Sequence, residues 1–156
     1  MSRIASLVMI IAFLITASAC GGKKPLEPST VRTQNVISAI RDLGRSYEQK
    51  DPSSFMGAVA STYPDREQFS KSLSEVFAKY ESIRFNIQYT KMIIMVEEKG
   101  MIKSSFNWDA EWRTPGGAVS KNGGRVTMSF DPGSFKLVSI DTKNPFLPQQ
   151  GETPGK

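Results

Sequence analysis

The fold of this chain is decided by the stretch Ile102-Lys103-Ser104-Ser105-Phe106-Asn107-Trp108-Asp109-Ala110-Glu111-Trp112-Arg113. Its apolar and polar residues alternate, which is typical of a β-strand with one face in a core. Burying the face that holds Phe106, Trp108 and Trp112 removes more apolar area from water than burying the opposite face. At roughly 25 cal/mol per Å² the difference is several kcal/mol. We therefore expect the aromatic face to point into the core or into a partner.

Similar segments on both sides of this stretch predict a four-stranded antiparallel meander. The first strand begins after Glu81 and continues to Val96, and the turn Glu98-Lys99-Gly100 follows it. The segment from Thr114 to Gly124 is Gly-rich and polar, which predicts a loop. The last two strands are marked by Val126, Met128 and Phe130 and by the segment 135–141, with the tight turn Asp131-Pro132-Gly133-Ser134 between them.

Helical periodicity dominates the chain before these strands. Apolar residues at spacings of three and four predict helices over 31–49, 52–60 and 66–80. Asp51-Pro52 is a helix start with a side-chain cap, and Asp65 with Gln68 has the spacing of a capping box. Helices followed by a sheet predict one α+β domain over 30–146. The residues 147–156 are rich in Pro and Gly, which predicts a disordered tail.

This order of elements resembles the cone-shaped nuclear transport factor 2-like (SnoaL-like) fold, whose superfamily includes ketosteroid isomerases and polyketide cyclases. The resemblance is carried by Tyr47-Glu48-Gln49-Lys50-Asp51 with Phe55, and by the hairpin Phe130-Asp131-Pro132-Gly133-Ser134-Phe135-Lys136-Leu137. In that hairpin Phe135 stands where the family often has Trp. The resemblance implies N-terminal helices packed on a strongly bent four-stranded antiparallel sheet. It also implies a cone with an open wide end, and apolar sites in such mouths bind small ligands.

The N-terminus has the three parts of a secretory signal peptide: one cation, an apolar run over 4–15, and small residues after it. The segment Ala17-Ser18-Ala19-Cys20 resembles the lipobox of bacterial lipoproteins, although Ala stands where Leu is commonest. We expect residues 1–19 to be removed, Cys20 to be lipidated, and residues 20–29 to form a flexible tether. Ordinary signal-peptidase cleavage and an uncleaved anchor are the alternatives.

Lipidation at Cys20 predicts a protein held on a membrane of the bacterial cell envelope, because two or more acyl chains bind durably. Gly21 follows the Cys, whereas Asp at that place is the usual retention signal. In a host with two membranes, the resemblance therefore implies sorting to the outer membrane, facing the periplasm.

The composition excludes several kinds of chemistry. None of the 156 residues is His, so no imidazole serves as a base or a metal ligand. The single Cys excludes an internal disulfide and a Cys-rich metal site. We expect no metal and no cofactor. The 20 basic and 15 acidic residues are spread without a dense cluster, so we also expect no nucleic-acid partner.

The function is predicted from the resemblance and from the exclusions together. Enzymatic members of the superfamily commonly use an Asp base, an Asp–His pair, or a Tyr with a protonated Asp. Asp109 is the best-placed carboxylate here, but the alternation puts it on the outer face of the sheet. We therefore assign no catalytic residue and expect a non-catalytic envelope module that binds a small apolar ligand or another protein. The expected ligand-binding residues are Tyr47, Phe55, Tyr80, Phe106, Trp108 and Trp112.

Two alternatives remain open at this point. One is an envelope-assembly or dimerisation module that joins a second copy or an envelope protein through the outer face of the sheet. The other is a histidine-free isomerase- or cyclase-like enzyme.

Overall fold

The computed structural model describes residues 28–97 and 100–148, which form helices followed by strands. The first residues of this region are helical, so the first helix begins two residues inside the segment 20–29 predicted as a tether. The elements in chain order are α1 (Pro28–Glu48), α2 (Pro52–Gly57), α3 (Arg66–Lys79), β1 (Ser82–Val96), β2 (Ile102–Arg113), β3 (Val119–Phe130) and β4 (Leu137–Ile140).

The four strands form one antiparallel sheet in the order β1-β2-β3-β4, as the alternation predicts. The pairing of β1 with β2 shifts register between Gln88 and Ile93. An irregularity of this kind bends the strand and increases its twist, so the sheet can curve around the helices. Helix α1 packs on β1, and the predicted α+β order of three helices and a four-stranded antiparallel meander is confirmed.

The inner face of β2 carries the aromatic residues, as its pattern predicts. Phe106, Trp108 and Trp112 are buried, whereas Asp109 on the opposite face is exposed. The inner face packs in one core with the apolar side of α1, where Ile40, Leu43 and others recur at helical spacing. The core therefore lies between the helices and the concave side of the sheet.

The predicted loop over 114–124 is wrong in its second half. β3 begins at Val119, and Gly123 and Gly124 pair with Asp109 and Trp108 of β2. A Cβ at Gly123 would lie 2.9 Å from the carbonyl oxygen of Trp108, so only glycine fits this approach of two backbones. Pairing with a long neighbouring strand outweighs the low strand preference of these residues.

Of the two predicted helix caps, the one at Asp51 is present and the one at Asp65 is absent. Asp51 caps α2 as predicted, because its side chain accepts a hydrogen bond from the Ser54 N–H at 3.0 Å. Asp65 does not form the predicted capping box. Its φ is 48°, in the left-handed region, and its side chain makes no capping hydrogen bond.

The predictions about the N-terminus concern residues that lie outside the described part of the chain. They are the signal peptide over 1–19, the lipidated Cys20 and most of the tether. Within residues 28–97 and 100–148, no helix has both the length and the apolar character needed to cross a membrane.

Candidate functional site

Tyr47 lies at the centre of a group of aromatic rings at the end of α1. Its ring centroid is 6.1 Å from that of Phe55, 5.7 Å from that of Phe85 and 5.1 Å from that of Phe146. Phe146 in turn lies 4.8 Å from Phe55 and 5.2 Å from Phe85. We call Tyr47, Phe55 and Phe85 the aromatic cage, because their rings surround that of Phe146. Their tilted and edge-to-face geometries are the favoured ones for aromatic pairs.

The last turn of α1 fixes the position of Tyr47. Tyr47 follows Leu43 by four residues, so it extends the buried face of the helix. Lys50 ends this region in the left-handed conformation, with a φ of 52°. Its ammonium donates to the carbonyl oxygens of Phe77 at 3.3 Å and Tyr80 at 3.0 Å, at the end of α3. These bonds hold the ends of the two long helices together beside the cage.

The hydroxyl of Tyr47 stands in a chain of two buried hydrogen bonds. It accepts one from Trp112 Nε1 at 2.7 Å and donates one to the carbonyl oxygen of Phe146 at 2.8 Å. Burial raises the pKa of Tyr47 far above its ordinary value, and the hydrogen bond from Trp112 offsets only part of this effect. The hydroxyl therefore stays protonated near neutral pH and acts as a hydrogen-bond donor.

Phe146 belongs to the segment that follows β4, and it was not predicted as a site residue. Its side chain is 1% exposed, and its backbone N–H donates to Asn144 Oδ1 at 3.0 Å. The segment turns at Asn144 and places the Phe146 ring inside the cage. The only signal in the sequence is one large aromatic residue inside a stretch of turn-forming residues.

The structure brings most of the predicted ligand-binding residues into one core. Tyr47 and Phe55 belong to the cage, and Trp112 contacts it through its hydrogen bond to Tyr47. The ring of Tyr80 lies 6.4 Å from that of Trp112. The ring of Trp108 stacks on that of Phe85, with 5.9 Å between the centroids. Phe106, two residues earlier in β2, is also buried. The ring of Phe146 lies against both Tyr47 and Phe55, where a ligand was expected to bind. Their assignment to a ligand stays a prediction.

Two buried polar atoms on the inner face of β2 have no hydrogen-bond partner among the described residues. They are Ser104 Oγ and Trp108 Nε1, and their side chains are almost completely buried. Leaving a buried polar atom unpaired costs about 1–3 kcal/mol. A water molecule or a ligand atom would remove this cost. The concave face of the sheet thus has unused hydrogen-bonding capacity beside the aromatic residues.

Charged groups lie outside the core in the described part of the chain. Its buried residues are apolar, apart from tyrosines and serines. Asp109 accepts a hydrogen bond from Asn86 Nδ2 at 2.9 Å on the exposed face. Glu48 Oε1 accepts the backbone N–H of Phe85 at 2.7 Å, with its side chain exposed. No group of three potential metal ligands occurs within residues 28–97 and 100–148. The chemistry available in the cage is therefore hydrogen-bond donation by Tyr47.

The architecture is the nuclear transport factor 2-like fold, with three helices on a curved four-stranded antiparallel sheet. A protein of that superfamily from Salmonella enterica serovar Typhimurium is similar over 82% of this chain and 99% of its own, with 13% identity and a TM-score of 0.63. A pinacolase from Penicillium brevicompactum is similar over 77% of this chain and 87% of its own, with 10% identity and a TM-score of 0.59.

A proposed scytalone dehydratase from Novosphingobium aromaticivorans shares the same fold. It is similar over 72% of this chain and 83% of its own, with 11% identity and a TM-score of 0.63. No family model matches the sequence, and no curated protein matches it.

These comparisons correct the expectation of a non-catalytic binding or interaction module of the cell envelope. Of the three similar proteins named above, one is described as a pinacolase and one as a proposed dehydratase. At 10% and 11% identity the likeness shows the fold alone. That fold nevertheless accommodates enzymes, so it gives no ground for excluding catalysis.

Proposed function

We propose that the protein is a carbonyl-activating enzyme of the dehydratase or isomerase type, acting on a small, flat, neutral aromatic ketone. The observation that carries the proposal is the hydrogen bond from the Tyr47 hydroxyl to the carbonyl oxygen of Phe146 at 2.8 Å. Phe146 presents an aromatic ring next to a carbonyl group, and the cage holds both. A substrate with the same two parts fits the same place.

The donor chain suits the chemistry of an enolate. When a carbon next to a carbonyl loses a proton, negative charge develops on the carbonyl oxygen. Tyr47 donates to that oxygen, and Trp112 Nε1 donates to the Tyr47 oxygen at 2.7 Å, which strengthens the tyrosine as a donor. One donor of this kind contributes about 10²–10³-fold in rate. The proton on carbon passes to a solvent base, because the described carboxylates lie outside the core.

Substrate entry requires Phe146 to leave the cage. Asp141 and Thr142 are tied to Thr127 of β3 by hydrogen bonds. The segment from Asn144 to Pro148 follows them and has no regular helix or strand, so it can move without breaking the sheet. While Phe146 occupies the cage, only a fraction of the molecules can bind substrate, and the apparent affinity is reduced by that fraction. Replacing Phe146 by Ala removes the competing ring and increases binding.

The test is hydrogen–deuterium exchange at the methyl group of acetophenone, followed by proton NMR in heavy water. We expect the wild-type protein to accelerate exchange above buffer and Phe146→Ala to accelerate it further. Tyr47→Phe should lose most of the acceleration, both in the wild-type background and in the Phe146→Ala background at a temperature where circular dichroism shows that the variants are folded. Tyr63→Phe is the matched control, because Tyr63 stacks on Phe69 at 5.0 Å and does not line the cage. Equal exchange with and without the Tyr47 hydroxyl would contradict the proposal.

We also propose the subcellular location that the sequence predicts. The lipobox at Cys20 supports a lipid-anchored protein of the bacterial cell envelope, which faces the periplasm from the outer membrane in a host with two membranes. Association with a second copy or with an envelope protein stays a prediction.

A further inference from the structure

A second cleft lies away from the cage, between the α2–α3 loop and the β3–β4 hairpin. Its volume is about 450 Å³. The lining residues relevant here are Ser61, Thr62, Arg66, Asp131 and Lys136. Ser134 also lines the cleft, which therefore combines two cations with three hydroxyl groups and one carboxylate.

Arg66 is held in place by one bond and keeps another donor free. Its Nη2 donates to the carbonyl oxygen of Met56 at 2.9 Å, which fixes the guanidinium at the cleft. Its Nε is buried and has no hydrogen-bond partner among the described residues. A guanidinium anchored in this way can present its remaining donors to an oxyanion in a fixed geometry.

The single carboxylate offsets only one of the two cations, so the charged lining residues leave the cleft with a net charge of +1. Asp131 Oδ1 accepts hydrogen bonds from Gly133 N at 3.1 Å, Ser134 N at 2.7 Å and Ser134 Oγ at 2.7 Å. These bonds lower the pKa of Asp131 and tie its carboxylate to the hairpin turn. In residues 28–97 and 100–148, neither Arg66 nor Lys136 forms an ion pair.

The two walls of the cleft are fastened to each other. Val59 forms a parallel bridge with Leu137, the residue after Lys136. The Ala60 N–H donates to the Leu137 carbonyl at 2.8 Å, and the Leu137 N–H donates to the Ala58 carbonyl at 2.9 Å. The backbone on both sides is thus fixed before any ligand arrives, which reduces the entropic cost of binding.

We propose that this cleft binds the oxyanion group, phosphate or carboxylate, of a small ligand. The Arg66 guanidinium and the Lys136 ammonium supply charge-assisted hydrogen bonds, and the hydroxyls of Ser61 and Thr62 supply neutral ones. The site is independent of the chemistry proposed for the cage.

The experiment titrates the full chain with inorganic phosphate and, separately, with acetate at constant ionic strength. The amide signals of Ser61 and Thr62 are followed by NMR. We expect saturable chemical-shift changes in the wild-type protein. The affinity that they report should fall about tenfold in Lys136→Gln, because one charge-assisted hydrogen bond is lost. Lys136 is exposed, so this variant keeps the fold. The matched control is Lys91→Gln, which removes the same charge from an exposed position of β1 outside the cleft lining.

Each outcome of the titration either supports or overturns the proposed oxyanion site. Saturation by phosphate alone supports a phosphate-bearing ligand, and saturation by acetate supports a carboxylate. The proposal is overturned if neither anion gives a saturable shift. It is also overturned if Lys91→Gln weakens binding as much as Lys136→Gln, because the effect is then one of overall charge.

Discussion

Replacing Phe146 by Ala should strongly destabilise the protein, although the residue follows the last strand. Its ring is 1% exposed and contacts Tyr47, Phe55 and Phe85 at centroid distances of 5.1, 4.8 and 5.2 Å. Truncating a Phe in such surroundings costs about 3–5 kcal/mol of unfolding free energy. For a domain of this size, that loss lowers Tm by roughly 10–20 °C.

The assay is reversible denaturation in urea and by heat, monitored by the fluorescence of Trp108 and Trp112. Tyr89→Ala is the control, since it removes an aromatic ring that is 41% exposed on β1, and we expect a change below about 1 kcal/mol. If Phe146→Ala costs no more than this control, the ring does not occupy the cage in solution. The reasoning about the site would then be refuted as well.

Three further predictions concern Tyr47, the glycines and the N-terminus. Because burial raises the folded-state pKa of Tyr47, its contribution to stability is complete below the unfolded value of about 10 and is lost as the pH rises above it. Above about pH 10 the unfolding free energy of the wild type should fall with pH more steeply than that of Tyr47→Phe. The two slopes, measured by urea denaturation, should differ by about 1.4 kcal/mol per pH unit. Gly123→Ala should destabilise the sheet by about 1–3 kcal/mol, whereas Gly57→Ala, whose Cβ meets nothing within 4 Å, should be neutral or stabilising in thermal melts. Cys20→Ala should abolish incorporation of labelled palmitate in cells, and unchanged labelling would contradict the lipid anchor.

The fold could be predicted because its decisive signals are local and repeated. The alternation in β2 identifies both the strand and its buried face, and Phe106, Trp108 and Trp112 are buried as expected. Predicted helix ends differ from the observed ones by a few residues, since capping depends on details that spacing does not contain. Gly123 was misassigned because its strand state arises from pairing with β2, which no local pattern records.

The site was predicted less well, because it depends on contacts that are distant in sequence. The position of Tyr47 in the core follows from helical periodicity. The partners of its hydroxyl, Trp112 and Phe146, lie 65 and 99 positions further along the chain. The cleft containing Arg66 and Lys136 was not predicted either, because those residues come together only when the hairpin docks on the α2–α3 loop.

The hydrogen bond between Tyr47 and Phe146 has a consequence for biosynthesis. A ribosome makes about 5–20 residues per second, so Tyr47 waits several seconds for the partner synthesised 99 positions later. During this interval the nascent polypeptide has an unfinished interior with exposed apolar surface. Until Phe146 has been made, the nascent chain therefore exposes apolar surface that chaperones bind.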